Sequence, residues 1–147
     1  APRPTTSSRV SARGIWRVDP ADIKGQRTLV DSVQSEGGRL AYPVNAVNTY
    51  ADDGYGLVMA SYGPDAKIAV YDRGPKNRYW VSVNVTAGKG VDGVKGGLGL
   101  AAAAGNFGAD APLGIVVVQD SDNTRPKGAP NFKFVSFADL EKRIPFE

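Results

Sequence analysis

Asp65, which follows Pro64, Asn84 and Lys89 are the residues whose types and spacing suit phosphate chemistry in this 147-residue sequence. A carboxylate and an amide oxygen can share a divalent cation, and an ammonium beside them can assist at a scissile phosphate. Arg73, Lys76 and Arg78 surround the turn "RGPKNR", where guanidinium and ammonium groups grip phosphate oxygens or keep a hairpin solvated. With neither His nor Cys in the chain, Ser-His-Asp and Cys-His machinery, Cys- or His-ligated zinc and disulfides are all excluded. Catalysis would have to run on Asp, Glu, Lys, Arg, Tyr, Ser or Thr, or on a hard metal held by oxygen, Mg²⁺ being the expected ion.

Weaker signals have bland readings beside them. "TAGKGVDG" sets glycine amides and Lys89 ahead of an expected helix, as phosphate-binding loops do. It lacks the spacing of the full motif, so a capping turn is preferred. Asp120 and Asp122 in "QDSDN" offer oxygen ligands, and a solvated acidic loop is the favoured reading. Asn84-Val85-Thr86 is formally a glycosylation sequon, read as a chance match within a strand. Tyr79 and Trp80 can stack on bases but fit a sheet or core equally well.

The net charge of +3 is concentrated at the start, in Arg3, Arg9 and Arg13. Without them the chain is formally neutral, so the charge says little about the folded body. "APRPTTSSRVSARG" buries almost nothing, and residues 1–14 are expected to form a flexible basic arm or linker that can order on a protein partner. Residues 15–147 are expected to form one α/β domain. No apolar run approaches the ~20 residues of a membrane span. The chain opens at Ala1 and not Met, which fits a processed, trimmed or excised chain. Nothing in the sequence assigns a compartment.

Several elements are needed to position these residues. "VDPADIKGQRTLVDSVQSEGG" is expected as a helix, with Asp19 as N-cap, Pro20 in the first turn, and Ile23, Leu29, Val30 and Val33 as its buried stripe. "RLAYPVNAVNTY" reads as an edge strand because Pro43 removes a ladder donor. "YGLVMASYG", "AKIAVYD" and "RYWVSVNVTAG" read as further strands. In the last, Tyr79, Val81, Val83 and Val85 share one face, and Trp80, Ser82, Asn84 and Thr86 the other. "GVDGVKGGLGLAAAAGNFG" is expected as a small-residue crossover helix. "APLGIVVVQD" should be a strand buried on both faces. "NFKFVS" should be a short strand, with Ser136 capping the last helix, "FADLEKRI". The expected fold class is α/β: a single mixed sheet with an antiparallel hairpin, a crossover helix and flanking helices.

That order resembles the restriction-endonuclease-like, PD-(D/E)XK, superfamily over residues 26–144. Pro64-Asp65 matches its first motif, "WVSVNVTAGKG" has the shape of its second, and "APLGIVVVQD" that of its later strand. The resemblance implies a metal-dependent nuclease with Asp65 catalytic, which needs Glu36, Asp72 or Asp120 to converge on the metal and Lys89 to reach in as the catalytic ammonium. Asp65 and Asn84 would be metal ligands, and Arg73, Lys76 and Arg78 would lie on DNA or RNA. Asn84 and Thr86 stand where that family has an acid and a Lys, so the implied site is degenerate. The basic hairpin without His also loosely resembles metal-independent ribonuclease toxins of the colicin kind. The alternative is a non-enzymatic assembly or partner-binding module, viral or secreted.

Overall fold

The computed structural model describes residues 7–125 and 127–146, and strands dominate it. They are β1 (Ser7–Ser11), β2 (Gly14–Val18), β3 (Thr28–Ser32), β4 (Val44–Asp52), β5 (Tyr55–Tyr62), β6 (Lys67–Asp72), β7 (Tyr79–Val83), β8 (Leu100–Ala104), β9 (Gly114–Asp120) and β10 (Asn131–Ser136). The α-helix among the described residues is the short α1 (Phe137–Glu141). The strands form three antiparallel sheets, ordered β1-β2-β3, β4-β5-β6-β7 and β10-β9-β8, here sheets I, II and III. The expected α/β fold, with its single mixed sheet, crossover helix and flanking helices, is therefore corrected to an antiparallel β architecture.

Both large expected helices give way to sheet pairing. In residues 18–38, Asp19 does start a turn, its Oδ1 accepting the Ala21 N–H at 2.9 Å. No α-helix follows: Thr28–Ser32 pairs instead with β2, and only a single 3-10 turn forms at Gln34–Glu36. Ile23 is 53% exposed and Leu29 is exposed too, so the expected stripe does not exist as a buried face. The alanine run fails as a helix for a related reason. A short isolated helix is marginal in water, and the glycines before it cannot help nucleate one. Leu100–Ala104 pairs with β9 instead, Ala102 opposite Val116. Gly97 shows what the glycines are for: a Cβ there would lie 2.3 Å from the Gln119 carbonyl oxygen. Residues 1–6 of the expected arm lie outside the described residues, while Ser7–Ser11 is a strand paired along β2.

Sheet II is the central layer, which explains why β5 and β6 are apolar almost throughout. Leu57, Met59, Ile68 and Val70 point to one core, with Leu100, Val116 and Val118 of sheet III and Phe137 of α1. Val58, Ala60, Ala69 and Tyr71 point to the other, with Ile15, Val33 and Leu40 from the sheet I side. Tyr50 on β4 clamps the first core: its ring stacks on Phe137 at 3.6 Å, and its hydroxyl donates to the Leu113 carbonyl at 2.6 Å. By contrast β9, expected to be buried on both faces, alternates between buried and half-buried residues.

β7 departs from simple alternation. Val70 pairs with Val81 but Tyr71 pairs with Tyr79, so the register shifts by one at this edge strand. Val81 and Val83 stay against the first core, as the pattern predicts, and Trp80 joins that side. Tyr79 is thrown to the opposite face, where it meets Tyr71 edge-on at 5.7 Å and lies 4.4 Å beneath the Arg39 guanidinium. A bulge that inserts one residue has this effect on every side chain beyond it.

Candidate functional site

The loops that follow β5, β7 and β9 gather at one end of the sheets. Gly96 N donates to Pro64 O at 2.8 Å, Val94 N to Val85 O at 2.9 Å, and Ser121 N to Lys95 O at 3.0 Å. Asn45 Nδ2 ties β4 to the same end through the Gly97 carbonyl at 3.0 Å. At its centre lies a buried polar cluster. Lys133 Nζ donates to Asp92 Oδ1 at 2.6 Å and to Asn123 Oδ1 at 3.1 Å, and pairs with Asp120 Oδ2 at 3.1 Å. Asp92 Oδ2 accepts from Thr124 N and Thr124 Oγ1 at 2.5 and 2.9 Å. Asp120 Oδ1 accepts from the Lys95 and Asp122 amides at 3.1 and 3.3 Å.

The strand pairing puts Lys133 there. Lys133 is opposite Val118 on β9, on the inward side of sheet III, and is only 6% exposed. Phe132 and Phe134 fall on the outward side and are 63% and 70% exposed. An isolated amphipathic strand would do the reverse. The Asp92 hydrogen bond holds the Lys133 ammonium above the usual lysine range, against the opposing pull of burial, and Asp120 adds to it. Lys133 and then Thr124 hold Asp92 well below the usual carboxylate range. Asp92 and Lys133 therefore keep their charges, and the cluster joins three chain segments.

A second polar centre braces sheet I to sheet II. The buried Asp31 accepts from Tyr71 Oη and Arg39 Nη1, both at 2.8 Å, and from the Ser32 and Arg39 amides. Burial, and then the negative charge of Asp31, push the Tyr71 phenol far up. Arg39 and Asp31 also line an open cleft of about 470 Å³. Their charges are spent on each other, which makes this centre structural.

The residues singled out in the sequence lie elsewhere. Asp65 is exposed in the β5–β6 turn, Asn84 and Thr86 are exposed beyond β7, and Lys89 is exposed in a tight turn with φ +51°. That turn closes Gly88 on Val91 and caps no helix. Among the described residues no group of three or more acidic side chains converges to hold a metal, so Asp65 has no such cluster around it. Arg73, Lys76 and Arg78 are exposed around the β6–β7 turn, at the opposite end of sheet II, with Arg78 4.4 Å above the Trp80 ring. Asp120, expected in a solvated loop, is fully buried, while Asp122 beside it is exposed. Lys133, Asp92, Asn123 and Thr124 were missed. The available signal was Asp120 closing a strand beside "NFKF", where a lysine breaks an otherwise apolar run.

Comparison with known proteins decides the lineage. The family model described as Phytase matches residues 10–145. The chain belongs to the phytase family. A 3-phytase from Bacillus subtilis (strain 168) is 34% identical over 133 residues, covering 88% of this chain and 35% of that protein. The phytase-family chain thus spans about a third of the length of this curated relative. Membership overturns the resemblance to restriction endonucleases and the nuclease and toxin function built on it. The Pro-Asp dipeptide that suggested them is an exposed turn between two antiparallel strands.

A divalent metal is in keeping with this family. The described residues do not fit a protein-only metal cage. Where carboxylate and amide oxygens from several segments do converge, at Asp92, Asp120 and Asn123, the Lys133 ammonium fills the space between them.

Proposed function

We propose that this chain takes part in the hydrolysis of phosphate monoesters of phytate, as a section of a phytase-family β-propeller. The observation that carries the reading is the 34% identity to a 3-phytase over 133 residues. The architecture supports it, because small antiparallel sheets stacked face to face are how propeller blades are arranged. Sheet II, covered on both faces, corresponds to an interior blade. Sheet III presents Phe132, Phe134, Ile115 and Val117 outward, as a blade does toward its next neighbour.

The loop end suits a polyanionic substrate. Lys67, Lys89, Lys95, Arg125 and Lys127 are exposed in or beside its loops and outnumber the exposed Asp65 and Asp122, while Asp92 and Asp120 are already engaged by Lys133. Cations converging on one surface concentrate and orient phosphate groups and stabilise charge that develops on their oxygens. A divalent ion, Mg²⁺ in this reading, would be carried mainly by the substrate phosphates, as Mg²⁺ commonly is. Calorimetric titration with phytate at low salt tests the reading, alongside assay of released phosphate. Combined Lys67→Glu, Lys89→Glu and Lys95→Glu substitution should weaken binding about tenfold or more, and added salt should do likewise. Absent binding, or binding untouched by the triple substitution, would overturn it.

A further inference from the structure

We propose that the Lys133 ammonium is a built-in cation occupying an oxygen cage, and that removing it turns the cage into a divalent-cation site. The inference stands on geometry and is independent of the phytate reading. Three oxygens from three side chains surround one nitrogen: Asp92 Oδ1 at 2.6 Å, Asp120 Oδ2 at 3.1 Å and Asn123 Oδ1 at 3.1 Å. Carboxylate and amide oxygens are the donors that Ca²⁺ takes. The cage is held open by bonds that do not involve Lys133, since the Thr124, Lys95 and Asp122 amides fix the far carboxylate oxygens.

Two further observations point to a cation as a requirement of the cage. Asp120 is 0% exposed, and among the described residues its Oδ2 has no hydrogen-bond partner, which leaves the Lys133 ion pair to compensate it. The lysine sits on the buried face of β10, displacing the phenylalanines beside it to the outside. The two 3.1 Å distances to Asp120 and Asn123 suit an ammonium, being longer than the roughly 2.3–2.6 Å of Ca²⁺–oxygen contacts. The ammonium thus cross-links the β7–β8 loop, the end of β9 and β10, as a structural metal would.

Thermal melting of the 147-residue chain in EDTA and in millimolar calcium chloride tests this. The response of the unsubstituted chain to calcium sets the baseline. Lys133→Met should melt lower in EDTA and rise with the logarithm of calcium concentration, as mass action requires, and respond less to magnesium. Adding Asp120→Asn to Lys133→Met should recover part of the lost stability and abolish the calcium response. If Lys133→Met is unfolded in EDTA, a cooperative melt regained on adding calcium supports the proposal, and none regained overturns it. A folded Lys133→Met whose calcium response does not exceed that of the unsubstituted chain overturns it.

Discussion

Asp92 accepts hydrogen bonds from Lys133 Nζ, Thr124 N and Thr124 Oγ1, and each favours its charged form. Its folded pKa lies below its unfolded one, so as pH falls the unfolded chain takes up the proton first. The stability it contributes is complete above the ordinary carboxylate range and is lost as pH drops through and below that range. Lys133 shifts the other way, so its contribution is complete below the ordinary lysine range and fades only in strong alkali. Urea titrations stepped between about pH 6 and pH 2 should show a falling midpoint that Asp92→Asn flattens. An equally steep acid limb in Asp92→Asn would place the titrating group elsewhere. Charge type alone did not separate such residues from their neighbours: Asp122, two positions beyond the buried Asp120, is exposed.

Strand β7 shows how an element sorts side chains that look equivalent in sequence. Val83 lies against the first core opposite Ile68, whereas Asn84, just past the end of the strand, is exposed. Val83→Ala should cost about 1 kcal/mol, reflecting partial burial at an edge, and Asn84→Ala under about 0.5 kcal/mol. Denaturant midpoints at constant m-value check the order, and a larger loss at Asn84 would place the strand's faces the other way round. Sequence periodicity assigned these two residues correctly. It misplaced Tyr79, because a bulge between paired strands depends on the neighbour's register and leaves no mark in the strand's own alternation.

Across the whole molecule the three sheets are unequally covered. Sheet II is buried on both sides, whereas the outward face of sheet III carries Phe132, Phe134 and the half-buried Ile115 and Val117. Contiguous exposed apolar surface of this kind binds hydrophobic dyes and reduces solubility. Combined Phe132→Ser and Phe134→Ser substitution should therefore lower ANS fluorescence while moving the melting temperature little, because neither ring belongs to either core. A large loss of stability would show instead that the rings pack within the chain.

The amino-acid sequence alone determined most strand positions. Strong alternation or dense β-branched runs marked β5, β6, β7, β9 and β10, and Pro43 marked the approach to the edge strand β4. It also determined the chemistry excluded by the absence of His and Cys. Tertiary structure decided the rest. Thr28–Ser32 lies between helix start and stop signals and Leu100–Ala104 is an alanine run, yet both become strands because a partner strand satisfies their backbone groups and a neighbouring sheet covers one side. The site was decided in the same way. Asp92, Asp120, Asn123 and Lys133 span more than forty positions of sequence, and no local pattern signals their convergence. They meet because β9 and β10 pair in a register that turns Lys133 inward beside Asp120, while the β7–β8 loop brings Asp92 over both.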